Sequence, residues 1–180
     1  MVTALLEHLR GRRARSVTLL SGTEDNAWNR RSREAYLAWC ELRGCTPRTG
    51  KLGEGLDRDD AAAVLLPLLA DPERPDALIV ASSNFAALAA EIAAAQGLRV
   101  PDDLMIASLT DTEHTRSASP PITAMDLSHE RLAEHAVELM LARLAGTEAV
   151  CTRPDQCRPR STTSRNRALG EVADVVPSRG

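Results

Sequence analysis

The chain has 180 residues, of which 43% are hydrophobic and 26% charged, and its formal net charge at pH 7 is -3. This length is enough for one domain with a sizeable core. The slight negative charge argues against nucleic-acid binding through bulk charge. Only 2% of the residues are aromatic, which leaves few platforms for stacking nucleic-acid bases. No apolar run approaches the roughly 18 residues of a membrane span, and the order of the N-terminal charges is not that of a secretory signal. We therefore expect a cytoplasmic protein without a membrane partner.

The first half of the chain shows alternating helix and strand patterns. Apolar periodicity, capping residues and turn residues predict the following elements, in chain order: a helix over 3–13, a buried strand over 16–20, a helix over 29–43 ended by Gly44, and a short strand over 48–52. A helix capped by Asp57 or Asp59 then runs to about Leu69, and we expect Pro67 to bend or shorten its last turn.

The second half continues the alternation up to residue 109. The predicted elements are a strand in "DALIVAS" (76–82), a helix over 84–96 stopped by Gly97, a strand over 104–109, a long polar loop over 110–121, an extended piece over 122–125, a helix over 128–144 capped by Ser128, and a final strand in "CRPRST" (157–162). Residues 163–180 are polar and without periodicity, so we expect them to be a disordered tail.

The strands are short apolar runs without polar alternation, so both faces of each strand should be covered by helices. This pattern indicates an α/β fold with a doubly wound parallel sheet. Ligands of such folds bind beyond the carboxyl ends of the strands. Polar residues follow three of the predicted strands, at 21–26, 82–84 and 110–113. We expect these clusters, which include Asn26, Thr110 and Asp111, to converge on one crevice.

Each candidate site residue also has a structural explanation. Ser82 and Ser83 favour helix capping and pocket lining over nucleophilic catalysis, because the sequence assigns no base to them. Arg30 belongs to the basic first turn of a predicted helix, where it is either a solvated charge or a hydrogen-bond donor to a polar ligand. Trp28 beside it is either a pocket wall or packing.

No motif for a nucleotide, a metal or nucleophilic catalysis is present in the sequence. The cysteine spacings are wider than zinc knuckles favour and the histidines are scattered, so we expect free thiols, no metal and no cofactor. The four cysteines are Cys40, Cys45, Cys151 and Cys157.

Residues 4–162 resemble the second half of the effector-binding domain of LacI/GalR-type bacterial transcription regulators. The segments that carry the resemblance are "ALLEHLRGRRARSVTLLSG", "NRRSREAYLAWCELRGC", "PDALIVASSNFAALAAEIAAAQGLRVPDDLMIASLTDTE", "SPPITAMDLSHERLAEHAVELMLARLAG" and "RPRST". In the third, which is the most specific, "VP-D" precedes a strand and an Asp-containing loop, as in the family.

The resemblance implies a type I periplasmic-binding-protein-like fold with a ligand cleft between two lobes, of which residues 1–162 contain mainly the C-terminal lobe and part of the other. It also implies a small-molecule effector, a homodimer, and operator DNA bound through an N-terminal helix-turn-helix headpiece. By position, Arg30 matches an Arg that hydrogen-bonds sugar hydroxyls. Ser82 and Ser83 stand where the family has a polar pair such as Asn-Asp, Thr110 where it has a ligand-binding Asp, and Leu56 near a pocket aromatic.

Two departures from the family pattern bear on function. The headpiece and most of the first lobe are absent from this chain, so we expect the chain alone not to bind operator DNA. The helix over 128–144 belongs to that first lobe in the family, so its apolar face must pack on the sheet, on another copy, or poorly. In addition, hydroxyl side chains replace acidic and amide groups that grip sugars, so we expect an effector other than a typical sugar, or a degenerate site.

We therefore expect the effector-sensing and dimerisation part of a LacI-family regulator, with repression as its activity, and no enzyme. A solute-binding protein of a transporter is the alternative with the same cleft, and it predicts a secretion signal. An unrelated small α/β enzyme would require turnover that depends on Ser82, Ser83 or Asp111.

Overall fold

The computed structural model describes residues 1–146 and 158–160. The elements in chain order are α1 (Val2–Gly11), β1 (Val17–Ser21), α2 (Ala27–Arg43), β2 (Arg48–Lys51), α3 (Arg58–Ala70), β3 (Ala77–Val80), α4 (Ser83–Ala95), β4 (Met105–Ser108), α5 (Glu113–Ser117), β5 (Thr123–Asp126), α6 (His129–Leu144) and β6 (Arg158–Arg160). The predicted α/β fold is confirmed, whereas the predicted tail over 163–180 lies outside the described residues.

The sheet has the strand order β2-β1-β3-β4-β5-β6. The first five strands are parallel, and β6 pairs antiparallel with β5. Strands β1 and β3 are fully buried along their length, which agrees with their unbroken apolar runs, because a parallel sheet is covered on both faces.

Two hydrophobic clusters lie on opposite faces of the sheet. Alternate side chains of β1 divide between them, with Leu19 in one cluster and Leu20 in the other, as strand geometry requires. Helices α1 and α2 cover the first face, and α3 and α4 cover the second. The predicted wrapping of helices around both faces of the sheet is thus confirmed.

Local signals set several helix ends where the sequence predicts them. Gly44 ends α2 in the left-handed conformation, with φ 65°, and Asp57 caps α3 by accepting a hydrogen bond from Asp60 N at 2.9 Å. Pro67 does not shorten α3, which continues to Ala70. Because Pro67 lies on the exposed side of α3, water can satisfy the carbonyl that its missing N–H leaves free.

Two predictions near the C-terminal part need correction. The polar segment over 110–121 contains the helix α5 rather than only a loop, because Thr112 N donates a hydrogen bond to Thr115 Oγ1 at 3.0 Å and so starts a helical turn. Ser128 precedes α6 as predicted, but its side chain makes no capping hydrogen bond. Instead Ser128 N donates to Asp126 Oδ1 at 2.8 Å.

Helix α6 leaves its apolar side chains exposed. The sequence left three arrangements open for its apolar face: packing on the sheet, packing on another copy, or poor packing. In this single chain the face is not packed. The exposed side chains are Leu132, Val137, Met140, Leu141 and Leu144, with between 51% and 82% of their surface accessible.

Candidate functional site

The sheet reverses its winding between β1 and β3. Chain connections from β1 run outward to β2 through α2, whereas connections from β3 run the other way to β4 through α4. Helices α2 and α4 therefore leave the sheet on opposite faces. A crevice opens at the carboxyl ends of two strands that diverge in this way, and it is where ligands bind in open α/β sheets.

All eight predicted site residues follow the carboxyl end of a parallel strand. Asn26, Trp28 and Arg30 come after β1, and Ser82 and Ser83 come after its neighbour β3, so their convergence on one crevice stays a prediction. Leu56 follows β2, and Thr110 and Asp111 follow β4, so they flank it on either side. Strands are about 4.8 Å apart, so the span from β2 to β4 is about 14 Å, which suits a small molecule.

The wall after β1 is fixed by a helix cap. Asn26 Oδ1 accepts a hydrogen bond from Asn29 N at 2.8 Å and so begins α2. Trp28 is half-buried and packs against the cluster under α1 and α2. Arg30 is exposed, and its Nη1 lies 3.0 Å from both Asp25 Oδ1 and Asp25 O. Such an exposed ion pair contributes little to stability. Arg30 can therefore exchange its hydrogen bonds to Asp25 for hydrogen bonds to a ligand.

The wall after β3 consists of hydroxyl side chains. Ser82 is the residue before α4, and its Oγ hydrogen-bonds Asn84 Oδ1 rather than a backbone N–H. Ser83 opens α4 and is 8% exposed. The sequence predicts that these serines cap the helix; the structure gives Ser82 the capping position without the side-chain cap. Their predicted pocket-lining role stays a prediction.

Asp111 is buried and bound by its own segment of chain. Its carboxylate accepts hydrogen bonds from Thr115 Oγ1 at 3.0 Å and from Arg116, whose Nε and Nη2 lie 3.2 Å and 3.0 Å from Asp111 Oδ2. The hydrogen bond to Asp111 raises the pKa of Arg116. Thr110 is half-buried, and its N–H donates to Ser108 Oγ at 3.3 Å. A ligand would have to compete with Arg116 for the Asp111 carboxylate, so the predicted ligand role of Asp111 stays a prediction.

Leu56 and Glu54 lie in the loop after β2. Leu56 is half-buried against the core under α3 and α4. Glu54, which sequence analysis did not select, joins this loop to the loop after β1. Its Oε1 accepts a hydrogen bond from the buried Asn29 Nδ2 at 2.7 Å, and its Oε2 accepts one from Thr23 N at 3.1 Å. The hydrogen bond from Asn29 lowers the pKa of Glu54.

Gly22 is what permits this contact between the two loops. A Cβ added at Gly22 would lie 1.7 Å from Glu54 Oε1 and 2.6 Å from Asn29 Nδ2, so the Glu54 carboxylate would have to leave its present position. The only sequence signal for Glu54 is its place between two glycines in a loop that follows a strand.

Ser21 is the second site residue that sequence analysis did not select individually. It ends β1, is 1% exposed, and its Oγ has no hydrogen-bond partner among the described residues. Buried hydroxyls are normally satisfied, so a partner other than the described residues, such as a ligand or water, fits here. Ser21 lies two residues after Leu19 in β1, so its side chain points to the same face of the sheet, the one covered by α1 and α2.

Within residues 1–146 and 158–160, no group of three or more His, Cys, Asp and Glu side chains could hold a metal ion. In the same part of the chain, no helix is both long enough and apolar enough to span a bilayer.

Comparison with known proteins gives consistent relatives. Residues 6–163 match the family model described as the periplasmic binding protein-like domain. The lactose operon repressor of Rhizobium radiobacter is 32% identical over 81 residues, which are 45% of this chain and 72% of the relative.

Solved structures show the same architecture. The crystal structure of a LacI family transcriptional regulator from Bifidobacterium animalis subsp. lactis superposes with a TM-score of 0.79 at 24% identity, and the match covers 90% of this chain and 60% of that one. A LacI family transcriptional regulator from Mycobacterium smegmatis gives a TM-score of 0.69 at 30% identity, covering 87% of this chain and 60% of that one. The chain therefore spans about three fifths of the length of these two regulators.

Proposed function

The chain belongs to the family of periplasmic binding protein-like domains and is the corresponding part of a LacI/GalR-type transcriptional regulator, and from this premise we propose that it senses a small-molecule effector. The proposed binding place is the crevice at the carboxyl ends of β1 and β3. The observation that carries the proposal is the buried Ser21 hydroxyl, which lacks a partner among the described residues at this reversal of strand order. The predicted site residues Asn26 and Ser82 follow the carboxyl ends of β1 and of its neighbour β3.

We propose that the effector is less polar than a free sugar. The Asp111 carboxylate is already bound by Thr115 and Arg116. The main groups left to bind an effector are therefore hydroxyls and the Arg30 guanidinium. The Asn26 amide oxygen is likewise engaged, as the cap of α2. A site whose carboxylate and amide groups are already bound cannot select strongly for many hydroxyls, because selectivity of that kind comes from buried polar groups that would otherwise be unpaired.

The proposed mechanism exchanges one partner of Arg30 for another. In the structure Arg30 donates to Asp25 across an exposed contact, so a ligand acceptor in the crevice can take its place at little cost. The loops on which these residues lie are held by Glu54 and Asn29, so the ligand would meet a largely prepared wall. A difference in ligand affinity between two lobe arrangements would then shift their populations.

The proposed location, assembly and DNA partner of the whole regulator rest on the similarity to repressors. We propose that the whole regulator acts in the cytoplasm as a homodimer and binds operator DNA through a headpiece. The exposed apolar face of α6 supports an assembly in which further protein covers it. We propose no catalysis, since Ser82 hydrogen-bonds the neutral amide of Asn84 rather than a base.

A thermal-shift screen tests the ligand proposal. The probes are lactose and ribose as sugars, and nucleosides and small aromatic acids as less polar compounds. A compound present at 100 times its Kd stabilises the native state by about 2.7 kcal/mol, which in a chain of this size raises Tm by about 5–10 °C. We expect such a rise with a member of the less polar group.

The matched variants are R30A and R31A, because both residues are exposed cations in the first turns of α2. The stabilising compound should keep its effect on R31A and lose most of it on R30A. The proposal is wrong if no compound raises Tm, or if R30A responds to each compound as the original chain does.

The dimer is tested separately by sedimentation equilibrium. The chain has a mass of 19.4 kDa, and we expect a species of twice that mass at micromolar concentration. A monomer at all concentrations would remove dimerisation from the proposal without touching the ligand site.

A further inference from the structure

The C-terminal end of α2 brings two cysteines together. Gly44 N donates to Glu41 O at 3.2 Å, and Cys45 N donates to Cys40 O at 3.0 Å. With Gly44 in the left-handed conformation, this is the Schellman arrangement of a helix end. Its two hydrogen bonds place the residue after the glycine against the residue five positions earlier, and an apolar contact usually joins their side chains. Here the two side chains are both thiols.

The thiols are close enough for a disulfide. Cys45 Sγ lies 3.6 Å from Cys40 O, and both cysteines are free. Standard bond lengths on either side of the Cys45 N to Cys40 O hydrogen bond hold the two Cα atoms within roughly 7 Å of each other. Disulfides span Cα distances of about 4.4–6.8 Å. Burial raises the pKa of the Cys40 thiol, and a hydrogen bond to the Cys45 thiol raises it further.

The two thiols differ in access to solvent. Cys40 is 1% exposed, whereas Cys45 is half-buried. Both line a cavity of about 350 Å³ at the amino ends of β1 and β2, which is the edge of the sheet opposite the crevice. Arg15 and Arg48 also line this cavity together with a single carboxylate, Glu73.

We propose that Cys40 and Cys45 are a peroxide-sensitive dithiol, in which Cys45 reacts first and Cys40 resolves it to a disulfide. The Cys45 thiolate attacks one peroxide oxygen, the O–O bond breaks, and Cys45 sulfenic acid and hydroxide form. Cys40 then gives up its proton, its sulfur bonds to the Cys45 sulfur, and the sulfenic oxygen leaves as water. Two thiols lose two electrons in total, and hydrogen peroxide is reduced to two molecules of water. This site is independent of the proposed effector crevice.

Peptide mapping of the full chain tests the proposal. Trypsin cleaves after Arg33, Arg43 and Arg48, which places the two cysteines on the separate peptides 34–43 and 44–48. After hydrogen peroxide treatment and alkylation, these peptides should appear joined, lighter by two hydrogen atoms than their sum, and separate on reduction. Two alkylated peptides after peroxide, or links from either one to Cys151 or Cys157, would overturn the proposal.

Two serine variants test the order of the steps. In C40S the Cys45 sulfenic acid has no resolving partner, so dimedone should label Cys45. In C45S the buried Cys40 should stay unlabelled under the same treatment. Label on Cys40 in C45S and none on Cys45 in C40S would reverse the proposed order.

A third variant carries C151S and C157S together and should retain the joined peptides in full. Failure of this variant to form them would contradict a disulfide between Cys40 and Cys45. Because the unmodified chain supplies the primary result, a folding defect in a serine variant does not remove the test.

Discussion

Tyr36 is predicted to stabilise the fold through its hydroxyl, which is inserted into the sheet. Its Oη donates to Val17 O at 2.7 Å and accepts from Arg48 N at 2.9 Å. Leu52 N donates directly to Ser21 O in the same pair of strands, and the register of β1 and β2 would continue this pattern to a direct bond from Arg48 N to Val17 O. The Tyr36 hydroxyl takes the place of that bond and ties α2 to the first residues of both strands.

The substitution Y36F removes this bridge and leaves two backbone groups without their partner. Each buried group left unsatisfied costs about 1–3 kcal/mol. Arg48 is only half-buried, so water can satisfy its N–H and the main cost is at Val17 O. We therefore expect Y36F to lower the free energy of unfolding by about 2 kcal/mol, and Tm by about 4–8 °C, measured by urea denaturation and by thermal melting at neutral pH.

The same tyrosine gives a pH dependence. Burial raises the pKa of Tyr36 above its ordinary value of 10, so the folded chain keeps the phenol protonated where the unfolded chain ionises it. This stability is fully present below about pH 10 and is lost as pH rises through the folded pKa. Tyr36 is the only tyrosine in the chain, so tyrosinate absorbance reports it alone. The reasoning is refuted if Y36F is as stable as the original chain, or if tyrosinate forms near pH 10 while the fold is intact.

Three further substitutions have defined outcomes. N26A removes the side-chain cap of α2 and should cost about 1 kcal/mol of unfolding free energy, measured by urea denaturation. G22A places a Cβ 1.7 Å from Glu54 Oε1, so it should separate the two crevice loops, lower Tm and weaken binding of any compound found in the screen. L141Q on α6 alters a side chain that is 61% exposed in the single chain, so at concentrations where the chain is monomeric it should change stability by no more than about 0.5 kcal/mol.

Matched controls accompany these variants. D57A removes the equivalent cap of α3 and should match N26A in stability without affecting ligand binding. G55A adds a Cβ that meets nothing within 4 Å and should leave both loops in place. L65A, at a fully buried position, should cost about 2–5 kcal/mol. Equal losses in L141Q and L65A would show that α6 is packed in solution, and equal effects of G55A and G22A would contradict the loop contact.

The pattern of short apolar runs was sufficient to predict the fold. The unbroken runs around Leu19 and Ile79 indicate strands covered on both faces, and the structure buries them completely. Helix ends such as Gly44 and Asp57 depend on neighbours within a few residues, which is why their positions could be read from the chain. Alternation of strand and helix then required a parallel sheet, and with it the edge at which polar residues gather.

Contacts between distant residues could not be predicted in this way. Glu54 meets Asn29 across 25 positions of sequence, and no local pattern marks either as a partner of the other. Which of the three arrangements α6 adopts could not be predicted from the sequence either. Its apolar side chains indicate a face that favours burial, and they do not indicate what covers it.

The sequence by itself determined the elements, their order and the edge of the sheet at which the predicted site residues lie, because these follow from local periodicity and from the geometry of parallel strands. Only the tertiary structure decided which polar groups at that edge are already bound, as Asp111 is by Arg116, and which are not, as with Ser21 Oγ within the described residues. The physical reason is that hydrogen-bond satisfaction is a property of three-dimensional neighbours. Two serines, a threonine and an aspartate after strands predict a site, and the hydrogen-bond partners of these residues determine which of their polar groups are free to bind a ligand.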